Sequence, residues 1–457
     1  MIFRVGNKII CEDANEDVIR WCKQNLVLDN PEFIKKERMG LWTGRTPREI
    51  VLYEKNGKNL MIPFGCVSEL RREFSEYPFY TSICPPERFN YRSAINTYNY
   101  QEKAVKSFLE AKNGVIVAPC GSGKTQIGLE IIARLGVKAL WLTHTQDLLN
   151  QSMARAKSVY GSWGFGTITG GKVNIGEGIT FATVQTMAKL DLAQYRDIWG
   201  CVVVDECHRC IGSPTNVMQF YKVLSSVSCR YKLGLTATPK RTDGLQNSMF
   251  ALLGGIVCEI PKEAVADTTC PVKVEFTKTG YAPDPDKMLL ADGTINYSAL
   301  IDDLTEDEKR FDIVLDKIES LESPILVLGS RVDYLNRMCE RYKGKSVCLS
   351  GKGNSKAAKE ERKNVLGKLN KGEIDCVFAT YALAREGLDV PNLRYVVFST
   401  PEKNSITIEQ SAGRVGRKAD GKSHGTVIDF IDDFGMYKGW WKKRLSIYKK
   451  IGCDIIE

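Results

Sequence analysis

Gly114-Val-Ile-Val-Ala-Pro-Cys-Gly-Ser-Gly-Lys-Thr125 runs from a continuous apolar segment through a glycine-rich turn into Gln126 to Leu135, a stretch with helical periodicity. A strand covered on both faces, a tight turn and a helix in that order make a phosphate-binding loop. Glycines let backbone N–H groups approach phosphate oxygens, and the helix N-terminus favours the negative charge. Ala118, Pro119, Cys120, Gly121, Ser122, Gly123, Lys124 and Thr125 are thus the candidate nucleotide-binding residues. Lys124 would reach the β and γ oxygens and the Thr125 hydroxyl would ligate Mg²⁺. Ala118 stands where such loops usually have their first glycine.

Outward from this loop, Ala139-Leu-Trp-Leu-Thr, Ile179-Thr-Phe-Ala-Thr, Cys201-Val-Val-Val-Asp and Lys232-Leu-Gly-Leu-Thr repeat the apolar rhythm between helical stretches. This predicts an α/β domain with a doubly wound parallel sheet over about 96–260. Cys201-Val-Val-Val-Asp205-Glu206-Cys207-His208 places two carboxylates at the end of one such strand. Asp205 would hold the metal, and Glu206 would orient or deprotonate an attacking water. A second α/β rhythm follows over 305–435, with strands at Pro324-Ile-Leu-Val-Leu-Gly, Lys345-Ser-Val-Cys-Leu, Cys376-Val-Phe-Ala-Thr, Tyr395-Val-Val-Phe-Ser and Gly425-Thr-Val-Ile-Asp. Residues 1–95 predict a small α+β domain, 261–304 an irregular linker, and 436–457 a basic aromatic tail.

The chain has 457 residues, a formal charge of +9 and 43% apolar side chains, which excludes collagen-like, low-complexity and disordered classes. No apolar stretch approaches the roughly 18–20 residues that span a bilayer, so no membrane partner is expected and the protein is expected in the cytoplasm. Its 15 scattered cysteines fit a reducing compartment, and the lone Cys207-x-x-Cys210 is too little for a structural metal.

Gln410-Ser-Ala-Gly-Arg414-Val-Gly-Arg417 lies in the second lobe on an expected helix from Ser405. Arginines three apart share a helical face and could present two guanidinium groups to a γ-phosphate, although such pairs are commonly solvated. Tyr98-Asn-Tyr-Gln101, Ala118 to Thr125, Asp205-Glu-Cys-His208, Gly234-Leu-Thr-Ala-Thr-Pro239, Thr380 to Pro391 and Gln410 to Arg417 together resemble the ordered motifs of superfamily 2 helicases. Within that superfamily the chain is most similar to the XPB-like and UvsW-like branch, which includes phage branch-migration enzymes. The resemblance implies two tandem RecA-like lobes, ATP and Mg²⁺ as cofactors, and ATP hydrolysis. It implies that Gln101, with Tyr98 or Tyr100 beside it, recognises adenine and that Thr236 and Thr238 couple hydrolysis to polynucleotide binding. It further implies that Gly387, Asp389, Arg414 and Arg417 complete the ATP site, with Gln410 positioning the arginines or meeting the γ-phosphate environment.

The family pattern places Thr143, Thr183, Gln185, Ser330, Arg331 and Thr380 against a nucleic-acid backbone, which hydroxyls and amides grip without reading sequence. Residues 341–371 hold ten Lys or Arg against two Glu, among them Lys352, Lys356 and Lys359. This run is either a solvated face or a phosphate-gripping one. Trp440 and Trp441 among lysines would suit stacking on an unpaired base, or packing on the lobe. The implied activity is 3′-to-5′ remodelling of forked or junction DNA in a bacterial or phage-infected cell, with DNA chosen by shape rather than sequence. A duplex translocase serving a nuclease, an RNA helicase and an ATP-gated clamp remain alternatives. The N-terminal domain is implied to engage DNA, although Phe64 replaces the arginine of the family's Pro-Arg-Gly.

Overall fold

Near-continuous apolar runs bury both faces in a covered parallel sheet, and each run quoted above is a strand, Ser346–Leu349 being a partly buried edge strand and the others largely buried. The computed structural model describes residues 1–119, 121–162, 164–211, 213–237, 245–284, 295–349, 356–385, 390–419 and 421–456. The chain divides into two compact units, Met1–Pro261 and Lys262–Glu457.

The first unit carries an eight-stranded sheet. From edge to edge its strands are Lys172–Asn174, Phe165–Thr169, Ile179–Thr183, Ala139–Thr143, Cys201–Asp205, Tyr231–Thr236, Asn113–Val117 and Ile256–Glu259. All neighbours are parallel except the edge pair Phe165–Thr169 and Lys172–Asn174. Register aligns Thr183 with Thr143, Asp205 with Leu235 and Thr236 with Val117, so the strand ends that carry polar groups share one edge. Ligands of doubly wound sheets bind outside that carboxyl edge.

Residues 1–81 build a five-stranded sheet in the order Glu54–Asn56, Asn59–Pro63, Lys8–Glu12, Ile2–Val5 and Phe79–Thr81. Its apolar interior runs without interruption into that of the eight-stranded sheet. At the junction Gly65 admits no side chain, since a β-carbon there would lie 2.5 Å from Phe250 O, Ala251 O and Gly254 N. The Cys66 thiol donates to Ala251 O at 3.8 Å, Asn7 Nδ2 to Ser225 O at 2.5 Å and Tyr221 OH to Glu54 Oε1 at 3.0 Å. Phe64 is buried, with the Lys232 ammonium 4.6 Å from its ring. The position where the family has arginine is therefore a packing position in this chain.

The second unit is an all-parallel seven-stranded sheet. Its order is Ser346–Leu349, Cys376–Thr380, Ile325–Gly329, Tyr395–Phe398, Gly425–Ile431, Val272–Lys278 and Asp454–Ile456. Two expectations need correction. The 261–304 stretch is not merely a linker, because Val272–Lys278 is the sixth strand and pairs along its whole length with Gly425–Ile431. Its Val-Lys-Val-Glu-Phe alternation, half-exposed beside a short edge strand, lacks the continuous apolar signature of its neighbours. Likewise 436–457 is not a tail but the helix Gly435–Lys450 and the edge strand Asp454–Ile456. Arg444, 1% exposed, anchors that helix through Nε to Asp429 Oδ2 at 2.7 Å, and Tyr448 OH donates to the same oxygen at 3.1 Å.

Candidate functional site

The phosphate loop lies where the sequence places it, between the strand Asn113–Val117 and the helix Lys124–Leu135. Gly121 and Gly123 take φ of +84° and +76°, values that a side chain would strain. Among the described residues no side chain caps the helix start, and the N-terminus of a helix favours an anion. The Ser122 hydroxyl is buried, with no hydrogen-bond partner among the described residues. Gln101, 1% exposed, donates Nε2 to Ser122 O at 2.8 Å and accepts from the Tyr98 N–H at 3.1 Å. It therefore braces the loop, while the stacked Tyr98 and Tyr100 rings, 5.6 Å apart, leave Tyr98 55% exposed.

Lys124 Nζ lies 3.4 Å from Ala118 O and 3.7 Å from Glu206 Oε1, so the loop and the two carboxylates form one site. Asp205 is buried and accepts from Ser152 Oγ at 3.0 Å. Burial and the adjacent Glu206 raise its pKa to about 6. Burial also opposes ionisation of Glu206, but Lys124, His208 and Arg209 outweigh it and hold Glu206 at about 2. Glu206 is therefore an anion at neutral pH. His208, 4% exposed, places Nδ1 3.3 Å from Glu206 Oε2 and 3.1 Å from Thr236 Oγ1. This set fits a magnesium-bound triphosphate: backbone donors and Lys124 for the phosphates, Thr125 and Asp205 as oxygen ligands, Glu206 as an acceptor beyond them. When bound, the metal would neutralise charge developing on the phosphate oxygens.

The sequence reading missed Ser152 and the role of His208. Ser152 had a faint signal, a small polar residue on the same buried helix face as Leu149 and Ala156. Along the same sheet edge, Thr143 Oγ1 donates to Thr145 O at 3.0 Å and Thr183 Oγ1 to Thr186 Oγ1 at 2.9 Å. Gln185 Nε2 donates to His144 O at 2.9 Å. These three expected backbone-gripping residues are thus brought together, each also serving a local turn.

In the second unit Thr380 ends its strand opposite Gly329, and the next residue, Ser330, donates its N–H to Thr400 Oγ1 at 3.0 Å. Arg331 is held by Asp302 and by Ser298 Oγ. The arginine geometry needs correction. The helix Ser405–Val415 ends before Gly416, and Arg417 lies beyond it in a bridge with Thr269. Arg414 and Arg417 therefore do not share a helical face. Arg414 is 9% exposed on the last turn, and buried Gln410 Oε1 on the same helix has no hydrogen-bond partner among the described residues. Trp441 packs edge-on against Phe276 at 5.7 Å with its indole N–H buried. Trp440 is half-buried beside Tyr297, with the Lys403 ammonium 3.9 Å and 4.1 Å from the two rings. Of the two tryptophans, Trp440 is thus the better placed for stacking.

Cys120, Thr238, Lys352, Gly387 and Asp389 lie outside the described residues, as do the side chains of Lys356 and Lys359. Among the described residues no cluster of His, Cys, Asp or Glu could hold a metal by itself, and no helix is long and apolar enough to cross a membrane.

Residues 94–241 match the family model described as the res subunit of type III restriction enzymes, and residues 300–419 match the helicase conserved C-terminal domain. A protein of Acanthamoeba polyphaga mimivirus named as an ATP-dependent RNA helicase is 26% identical over 419 residues, covering 87% of this chain and 76% of its own. The DNA 3'-5' translocase XPB2 of Sulfurisphaera tokodaii is 25% identical over 363 residues, covering 72% of this chain and 80% of its own. Among solved structures, Saccharomyces cerevisiae Dbp5 bound to RNA and ADP BeF3 superposes with a TM-score of 0.55 at 16% identity. That superposition covers 79% of this chain and 90% of Dbp5, and it reports on fold alone.

Proposed function

We propose, from the premise that this chain belongs to the superfamily 2 helicases and is related to the XPB-like and phage members, that it is an ATP-driven motor on DNA. In this reading MgATP binds at Ala118 to Thr125, Asp205 holds the metal, and Glu206 activates the attacking water. Gln410, Arg414 and Arg417 contribute from the second lobe, and cycles of closure and release move the protein along a strand. Thr143, Thr183, Gln185, Ser330, Arg331 and Thr380 grip backbone, with direction 3′ to 5′ and branched DNA as the preferred substrate.

The observation that carries this reading is the continuous chain Lys124, Glu206, His208, Thr236. It connects the phosphate loop to Thr236 at the end of Tyr231–Thr236, on the same carboxyl edge of the sheet as Thr143 and Thr183, whose strands lie two and three places further along. A nucleotide-dependent change at Glu206 has a short path to the polynucleotide edge.

The test is steady-state ATP hydrolysis with single-stranded, duplex, forked and four-way DNA and with RNA of equal length. Forked and four-way DNA should stimulate most. Greater stimulation by RNA would favour the activity in the mimivirus relative's name, and duplex stimulation without strand separation would indicate a translocase.

A further inference from the structure

The proposed motor leaves one part of the N-terminal module without a role. Val27–Asp29 and Glu49–Val51 form a two-stranded antiparallel ribbon, separate from the five-stranded sheet. Between them the chain makes the helix Pro31–Arg38, none of whose residues is fully buried, and a loop over 39–48. The result is an arm.

The loop has a defined path. Leu41 N–H donates to Lys36 O at 2.9 Å and Thr46 N–H to Thr43 O at 2.8 Å. Lys36 Nζ donates to Thr46 Oγ1 at 2.6 Å. Buried Asn30 closes the base, donating its N–H to Arg48 O at 3.0 Å and Nδ2 to Pro47 O at 2.7 Å. At the tip, nevertheless, Met39, Leu41 and Trp42 are 60%, 53% and 85% exposed. The Trp42 ring lies against Gly44, where a β-carbon would come within 2.4 Å of it, so one face rests on backbone and most of the side chain meets solvent. Single exposed apolar residues are ordinary, but three within four positions on a held loop mark a contact surface.

The charge of the arm indicates what its tip contacts. Residues 31–48 carry Lys35, Lys36, Arg38, Arg45 and Arg48 against Glu32 and Glu37. Lys36 pairs with Glu32 at 3.0 Å, whereas the other four cations form no ion pair among the described residues. Five basic against two acidic side chains over 31–48 complement a polyanion, and an exposed aromatic ring on such a segment suits stacking on an unpaired base beside phosphates.

We propose that this arm is a stacking wedge for an unpaired base at a DNA branch, with Trp42 against the base and the arm's unpaired cations, Arg45 foremost, toward the neighbouring phosphates. The inference rests on the DNA-motor reading above and adds the element that distinguishes a branch from plain duplex.

Forked DNA carrying 2-aminopurine at the branch, whose fluorescence dims on stacking, tests it alongside a fully paired duplex of the same sequence. Trp42→Ala should weaken fork binding about tenfold, a typical loss for one stacked base. It should also abolish the fluorescence change and leave duplex affinity within about twofold, while Trp42→Phe keeps both fork properties. An unchanged signal with Trp42→Ala, or equal losses on fork and duplex, would overturn the wedge. So would a fall in self-association with fork binding intact. If no polynucleotide stimulates ATP hydrolysis by the unaltered protein, the motor reading fails instead; stimulation with Trp42→Ala indistinguishable from the unaltered protein removes the arm alone.

Discussion

Glu206 takes φ of +50°, a left-handed conformation that costs an L-residue about 1–2 kcal/mol. That turn lets neighbouring carboxylates serve different partners: Asp205 accepts from Ser152, while Glu206 lies beside Lys124 and His208. Replacing Glu206 with Gln keeps the shape and removes the anion. Nucleotide binding should survive and turnover should fall at least ~10²-fold, measured by equilibrium binding and single-turnover hydrolysis; turnover near that of the unaltered protein would sink the water-activating role. At this scale the sequence was informative about Lys124, Thr125, Asp205 and Glu206, because contiguous motifs at strand ends place them. It was silent on Ser152 and on the His208 to Thr236 contact, which join residues 53 and 28 positions apart through tertiary packing alone.

Among the elements, legibility followed burial. Strands covered on both faces were read correctly because nothing else explains four or five apolar residues between turns. Val272–Lys278 was read as linker because a half-exposed strand alternates, and the prolines around it resemble a connection. The arginine helix was drawn too long because Gly416, which ends it, also belongs to the motif. The helix Gly435–Lys450 passed for a tail because its lysines and tryptophans conceal a buried anchor. Arg444→Ala tests that anchor: with Asp429 left as an uncompensated buried charge, the second unit should lose about 3–5 kcal/mol, read from denaturant unfolding. A loss near that of an exposed ion pair would return the helix to the status of an appendage.

Taken as a whole molecule, the first unit has no seam at residue 95. The 63–66 turn and the helix Gln246–Leu253 pack so closely that Gly65 has no room for a methyl group. Gly65→Ala should therefore destabilise by about 3 kcal/mol. Hydrogen exchange should show peptides from residues 1–81 and from the eight-stranded sheet losing protection together. If only residues 1–81 became labile, the shared interior would not be one cooperative body. Sequence patterning indicated a boundary there because composition changes at Pro85-Pro86, but composition records what a segment is made of and not what it leans on.

The shared interior also limits how such a protein can be reassorted. A crossover between related genes near residue 95 would bring together two surfaces that did not evolve in contact and leave Phe64, Cys66, Met249 and Leu253 facing mismatched partners. A crossover near Pro261 falls at the boundary between the two compact units. The front module should therefore be inherited with its motor lobe as one cassette, and lineages should exchange the second lobe more readily than the first 95 residues.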